Sequence, residues 1–246
     1  MASIKVFLLL ALFIPCFTTL NAQQAININQ ALDIKQQSII SIAAVTAKGD
    51  LSKLKTELNK GLDAGLTVNE IKEVLVHLYA YCGFPRSIRG LQTFMEVLNE
   101  RKAKVINDVM GSEASPVKGE QGKYERGKAI LDSLLGTPQN GPKTGYSAFA
   151  PVIDIFLREH LFADIFERDV LTWQERELVT VSVLSSIGGV EPMLQSHLKI
   201  CLNVGLTPEQ LQHFVDNIKS TAGESEAKAA QSVLDEVLKN HSQANL

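Results

Sequence analysis

Neither sign of charge dominates this chain: 24 Lys and Arg stand against 27 Asp and Glu, a formal net charge of −3 at pH 7. It has no basic stripe interleaved with aromatic residues, which excludes a nucleic-acid surface built on phosphate neutralisation. Cysteine is equally scarce. Cys16, Cys82 and Cys201 are the full set, and no two of them form a Cys-x-x-Cys pair or sit at metal-ligand spacing with histidine. An adjacent-thiol redox centre and a zinc cluster are both excluded on that count. Alternating apolar and polar runs joined by hairpin turn residues are missing as well, so no sheet is expected. The one long apolar run, Val6 to Ile14, is too short to span a bilayer. It follows Lys5, ends at Pro15 and precedes Leu20-Asn21-Ala22, the pattern of a secretory signal peptide cleaved before Gln23. The mature protein is therefore expected in the periplasm or outside the cell, with no membrane segment after cleavage.

What the chain does contain is a passage written twice. Gly65-Leu66-Thr67 with Glu70 reappears 140 residues later as Gly205-Leu206-Thr207 with Gln210. Upstream, Leu32-Asp33-Ile34 answers Leu171-Thr172-Trp173; downstream, Val97-Leu98 answers Val237-Leu238. A duplicated unit of this length is one in which each copy buries the face that the other exposes. The periodicity inside each copy is helical. Leu51, Leu54, Leu58 and Leu62 form a stripe closed by Gly65, and Thr67 opens the next helix with Glu70 at the capping-box position. Leu194, Leu198 and Leu202 repeat that stripe before Gly205 and Thr207. Breaks are expected at Gly83-Phe84-Pro85 and at Gly188-Gly189, and one helix is expected from Phe149 to Phe166. The fold class is all-α. A first, shorter repeat occupies residues 23–110, a polar linker 111–123, and a fuller second repeat 124–246.

Several stretches resemble one family. They are Tyr124-Glu125-Arg126-Gly127 with Leu135-Gly136, Ala163 to Arg168, Leu171 to Leu178, and Ser196-His197-Leu198 through Glu209. Tyr81-Cys82-Gly83-Phe84-Pro85 fits the same family's tyrosine-x-glycine-x-proline turn. In order and spacing the chain resembles the carboxymuconolactone decarboxylase family, whose fold is alkylhydroperoxidase D-like. The resemblance implies a helical bundle, ring-shaped homo-oligomers (commonly trimers of two-copy chains) and one of two chemistries. Redox members carry Cys-x-x-Cys shortly before a histidine, but the corresponding residues here are Val190-Glu191-Pro192-Met193, and Leu51 to Leu54 in the first copy. The other branch decarboxylates a small lactone dicarboxylate without metal or organic cofactor.

Loss of carbon dioxide needs an electron sink on the substrate and a proton delivered to carbon, work suited to an imidazole or a carboxylic acid. His197 matches the family histidine and Glu177 the family glutamate, so these two are the candidate acid/base pair. Arg86 and Arg89, beyond the Pro85 turn, are candidate holders of a substrate carboxylate, and Tyr81 and Cys82 are candidate substrate contacts. The copies differ in a complementary way. The second keeps Glu177 and His197 but has Thr221-Ala222-Gly223-Glu224-Ser225 in place of the turn; the first keeps the turn but has Ser38 and Glu57 in place of the pair. One composite site per chain is the expectation. No metal site emerges, and His77, His160 and His213 read as core or solvated histidines. Cys82 and Cys201 fall at non-equivalent positions and read as inert thiols, with a peroxide-handling enzyme or a non-catalytic small-molecule binder as the alternatives.

Overall fold

The computed structural model describes residues 31–117 and 120–244; residues 1–22, expected from the sequence to be a signal peptide, lie outside them. Eleven α-helices and one π-helix are present among the described residues, with no strand. The first copy supplies α1 (Ile34–Lys48), α2 (Leu51–Asp63), α3 (Val68–His77) and α4 (Tyr79–Ala103). The second supplies their counterparts α8 (Trp173–Ile187), α9 (Glu191–Asn203), α10 (Pro208–Thr221) and α11 (Glu224–Ala244). Between them lie α5 (Lys123–Leu135), α6 (Gly145–Phe149), α7 (Pro151–Phe156) and π1 (Leu157–Phe166). No helix among the described residues is long and apolar enough to cross a membrane.

The duplication is visible first in the helix starts. Asp33 caps α1 with Gln36 completing the box, and Thr172 does the same for α8 with Glu175. Thr67 with Glu70 and Thr207 with Gln210 open α3 and α10 in the same manner. Each box satisfies two backbone groups that a helix end otherwise leaves open.

Helices α1 and α8 form the centre. Every residue from Ser38 to Ala47 and from Arg176 to Ser186 is buried, so both helices are enclosed on all sides and pack against each other. Ile39, Ile42, Val179 and Val183 are fully buried, and each such side chain contributes about 1.5–3 kcal/mol. Their serines and threonines are tolerated because the hydroxyls bond back to the preceding turn. Thr46 donates to Ile42 O, Thr180 to Arg176 O, and Ser182 to Leu178 O. Around this pair the copies share helices: α10 packs mainly on α1 of the other copy, and α3 packs on both α1 and α8. That sharing brings side chains from both copies to one place.

Two glycines set the geometry near that place. Gly83 (φ 82°, ψ 159°) kinks α4 just after Tyr81, a backbone state that side-chain-bearing residues rarely adopt. Gly127 lets α5 lie against π1, since a Cβ there would fall 1.8 Å from Arg158 O. The helix expected from Phe149 to Phe166 is not continuous. Ala150 takes φ −131°, ψ 78° because Pro151 restricts the residue before it, and the chain restarts at Pro151 as α7 before widening into π1. The widened turn packs Phe162, Ile165 and Phe166 on Leu134 of α5.

Candidate functional site

Glu177 sits in the first turn and a half of α8 and is 0% exposed. His197 projects from the middle of α9, and its Nδ1 lies 2.8 Å from Glu177 Oε2. The capping box at Thr172 fixes where α8 begins, and the Leu194, Leu198 and Cys201 stripe fixes which face of α9 turns inward. With Nδ1 engaged by the carboxylate, Nε2 is the nitrogen left to serve a substrate. The first copy closes the site. Tyr81, from the turn of α4 before the Gly83 kink, meets the His197 ring edge-on at 5.7 Å and 85°.

Two buried oxygens here lack a partner: Tyr81 OH and Glu177 Oε1. An unpaired buried polar atom costs about 1–3 kcal/mol, so two of them beside one imidazole need an explanation that packing does not supply. Burial, followed by the nearby Glu177 carboxylate, pushes the Tyr81 phenol well above its ordinary range. Tyr81 is therefore a neutral donor. Cys201, one turn beyond His197, is pushed well above the usual thiol range by burial and by Glu177.

Beneath this pair lies a second buried network, again built by both copies. Glu73 of α3 takes Arg176 Nη2 at 2.7 Å and Arg168 Nε at 2.9 Å. Burial opposes ionisation of Glu73, but the hydrogen bonds from Arg168 and Arg176 outweigh it, and the carboxyl is held below its ordinary range. Arg176, 0% exposed, also donates to Arg168 O at 2.5 Å and to His77 Nδ1 at 3.3 Å. A guanidinium only donates, so His77 carries its proton on Nε2 and gives it to Thr180 Oγ1 at 2.9 Å. Burial first, then the Arg176 and His197 charges, pushes His77 well below the usual imidazole range. His77 packs on both Tyr81 and Phe166, so the network supports the ring that covers His197.

The remaining candidates named from the sequence fall elsewhere, with one partial exception. Cys82 neighbours Tyr81 in the chain, but its thiol donates to Leu78 O at 3.2 Å within its own helix; burial pushes it up to about 11, with Arg86 opposing. Arg86 and Arg89 line a separate cleft of about 240 Å³ with Thr46, Gly49, Leu51 and Pro85, to which neither His197 nor Glu177 belongs. Arg86, named from the sequence as a candidate carboxylate holder, lies against Gly49 at the C-terminal end of α1. Cys82 and Cys201 are both free thiols.

Sequence reasoning missed Glu73, whereas His77, read as a core or solvated histidine, is a buried core residue. Their signal was present: residues four apart on one helical face, both carrying polar groups into a stripe with Val74 and Leu78. Arg168 and Arg176 fasten the loop before α8 through a carboxylate of the other copy.

Comparison with known proteins agrees with the duplicated plan. A family model described as carboxymuconolactone decarboxylase family matches residues 17–94 and again 153–236, together more than half of the chain. An uncharacterized protein of Methanocaldococcus jannaschii is 30% identical over 81 residues, 33% of this chain and 76% of that protein. The 4-carboxymuconolactone decarboxylase of Acinetobacter baylyi is 27% identical over 119 residues, 48% of this chain and 88% of that enzyme.

Proposed function

We propose that this chain, which belongs to the carboxymuconolactone decarboxylase family, is a lyase that uses His197 and Glu177 to deliver a proton to a small carboxylated, carbonyl-bearing substrate. The observation that carries this reading is the 2.8 Å contact between His197 Nδ1 and a fully buried Glu177, beside the unpartnered Tyr81 hydroxyl. In the step envisaged, the bond from the substrate's carbon to its carboxylate breaks and carbon dioxide leaves. The electron pair passes into the neighbouring conjugated carbonyl, whose oxygen Tyr81 stabilises by donating a hydrogen bond. Protonated His197 then gives its Nε2 proton to carbon, and the Glu177 carboxylate steadies the imidazolium and fixes its orientation.

A thiol mechanism has less support. Cys82 and Cys201 both hold their protons more tightly than an ordinary thiol, the reverse of what a nucleophilic cysteine needs. We further propose self-association, favoured by the exposed apolar run Tyr146, Phe149, Val152, Ile153 and Phe156 on α6 and α7. Residues 1–22 favour export, and hence a substrate met outside the cytoplasm.

The experiment is a turnover screen over small carboxylated lactones and keto acids, 4-carboxymuconolactone among them, with carbon dioxide release as the readout. Release by the native chain that disappears in His197→Ala supports the reading. Release that persists in His197→Ala, or depends instead on Cys82, overturns it.

A further inference from the structure

All but two of the chain's arginines grip a carboxylate. Arg101 holds Asp63 and Asp108, Arg126 holds Glu167, Arg158 holds Asp154, and Arg168 and Arg176 share Glu73. Arg86 and Arg89 hold none among the described residues, and both line the same cleft of about 240 Å³. Their spacing on α4 puts the two guanidiniums on one face of the helix. Thr46, Gly49, Leu51 and Pro85 complete the lining, so these guanidiniums are its only ionised groups. Asp50, between Gly49 and Leu51 in the chain, caps α2 by accepting from the Lys53 amide at 3.0 Å and pairs with neither arginine.

Arg86 is seated by what Gly49 lacks. Its Nη1, Cζ and Nη2 all lie within 3.0 Å of the position a Cβ on Gly49 would take. Gly49 ends α1 in the left-handed region (φ 75°), so the chain turns there without a side chain and leaves the space to the guanidinium. No acceptor among the described residues takes an N–H of Arg86, and Arg89 gives only Nη1, to Gln92 Oε1 at 2.7 Å. Most donors of the two forks therefore remain open. The bundle itself does not need cations here, since the second copy has Glu226 and Ala229 at the equivalent positions. We propose that this cleft binds a small dianion, a phosphate group or a short dicarboxylate, through guanidinium–oxyanion hydrogen bonds. A planar guanidinium matches two oxygens at a time on either group. A lining whose only charges are two unpaired cations favours an anion over a neutral molecule or a cation of equal size. Neither His197 nor Glu177 lines the cleft, and its occupancy needs no step of the reaction proposed above.

The test is a titration of the ¹⁵N-labelled chain with sodium phosphate and, separately, with sodium succinate, at an ionic strength held constant with sodium chloride. Amide and arginine Nε–H NMR signals are followed. Saturable shifts are expected at Gly49, Arg86 and Arg89, with a midpoint in the millimolar range usual for so small a ligand. Saturation by phosphate alone assigns the cleft to phosphate groups, by succinate alone to dicarboxylates, and by both to small dianions in general; each supports the proposal. Arg86→Gln and Arg89→Gln each weaken binding by about tenfold, the effect of losing one charge-assisted partner. Lys53→Gln removes an equal charge from α2 outside the lining and leaves the midpoint unchanged. His197→Ala also leaves it unchanged, so failure at this cleft and failure of the acid/base reading are separable. Shifts that saturate with neither ion, that survive undiminished in both arginine variants, or that Lys53→Gln weakens as much overturn the proposal.

Discussion

In the second copy Glu177 and His197 meet 2.8 Å apart beneath the ring of Tyr81, whereas the same positions of the first copy hold Ser38 and Glu57 around an open cleft. The central helices α1 and α8, which carry Ser38 and Glu177, start from matching capping boxes, and α2 packs on α1 as α9 packs on α8. The difference is therefore one of side-chain size and charge on a shared frame. It teaches that a duplicated bundle needs the full set of buried charges only once. Burying Glu177, Glu73 and Arg176 costs several kcal/mol per ion unless each is met by a partner. The second copy meets that cost in part with residues of the first: Glu73 and His77 take Arg176, while His197 of the second copy itself meets Glu177. The equivalent positions of the first copy, Ser38 and Glu57, line an open cleft instead.

The comparison breaks most visibly at Arg176 and its counterpart Gln37. Arg176→Met removes one of the two arginines that hold buried Glu73 and is expected to cost about 3 kcal/mol, read as a lowered denaturant midpoint. Gln37→Met, on the same turn of α1, is expected to cost less than about 1 kcal/mol. Equal losses at the two positions mean that the halves carry buried charge alike. Glu177→Gln should lower carbon dioxide release on the order of 10²-fold with the fold intact, through loss of the carboxylate that orients His197. Ser38→Ala, at the equivalent position, should leave the rate unchanged.

The pH dependence of stability isolates His77. Its folded pKa is depressed well below 6.5, so below about pH 6.5 the unfolded chain takes up a proton that the folded chain refuses. Stability contributed by this group is present above pH 6.5 and falls as the pH drops, by about 1.4 kcal/mol per unit. Glu73, held low by its arginines, loses its contribution only at more acid pH, below 4.5. Urea titrations between pH 5 and 6.5 should show a one-proton slope that His77→Asn, the residue of the other copy, removes. The smallest effect is at Tyr81. Tyr81→Phe deletes an unpaired buried hydroxyl and should leave stability equal or up to about 1 kcal/mol higher while turnover falls. A loss of both stability and turnover assigns the hydroxyl to the scaffold.

Much of this architecture is legible in the chain because its signals are local. Thr67 with Glu70, Thr207 with Gln210 and the leucine stripes fix helix starts and inward faces without reference to anything distant. Glu177 and His197, brought together in the fold, were named from the sequence through the resemblance, since a carboxylate in a first turn has an ordinary explanation of its own. The sharing of α3 and α10 between copies leaves no local mark. For that reason Glu73, which meets arginines 95 and 103 residues away, was not singled out. The break at Ala150 was missed because the apolar period runs unbroken through Pro151, and only the backbone restriction before proline ends the helix.

The most direct test is the rate of carbon dioxide release per chain from a small carboxylated lactone, measured side by side for the native protein, His197→Ala and Glu57→Gln. A fall of about 10²–10⁴-fold in His197→Ala, with Glu57→Gln at the native rate, is the expected result. Equal rates in all three contradict a proton-transfer site in the second copy.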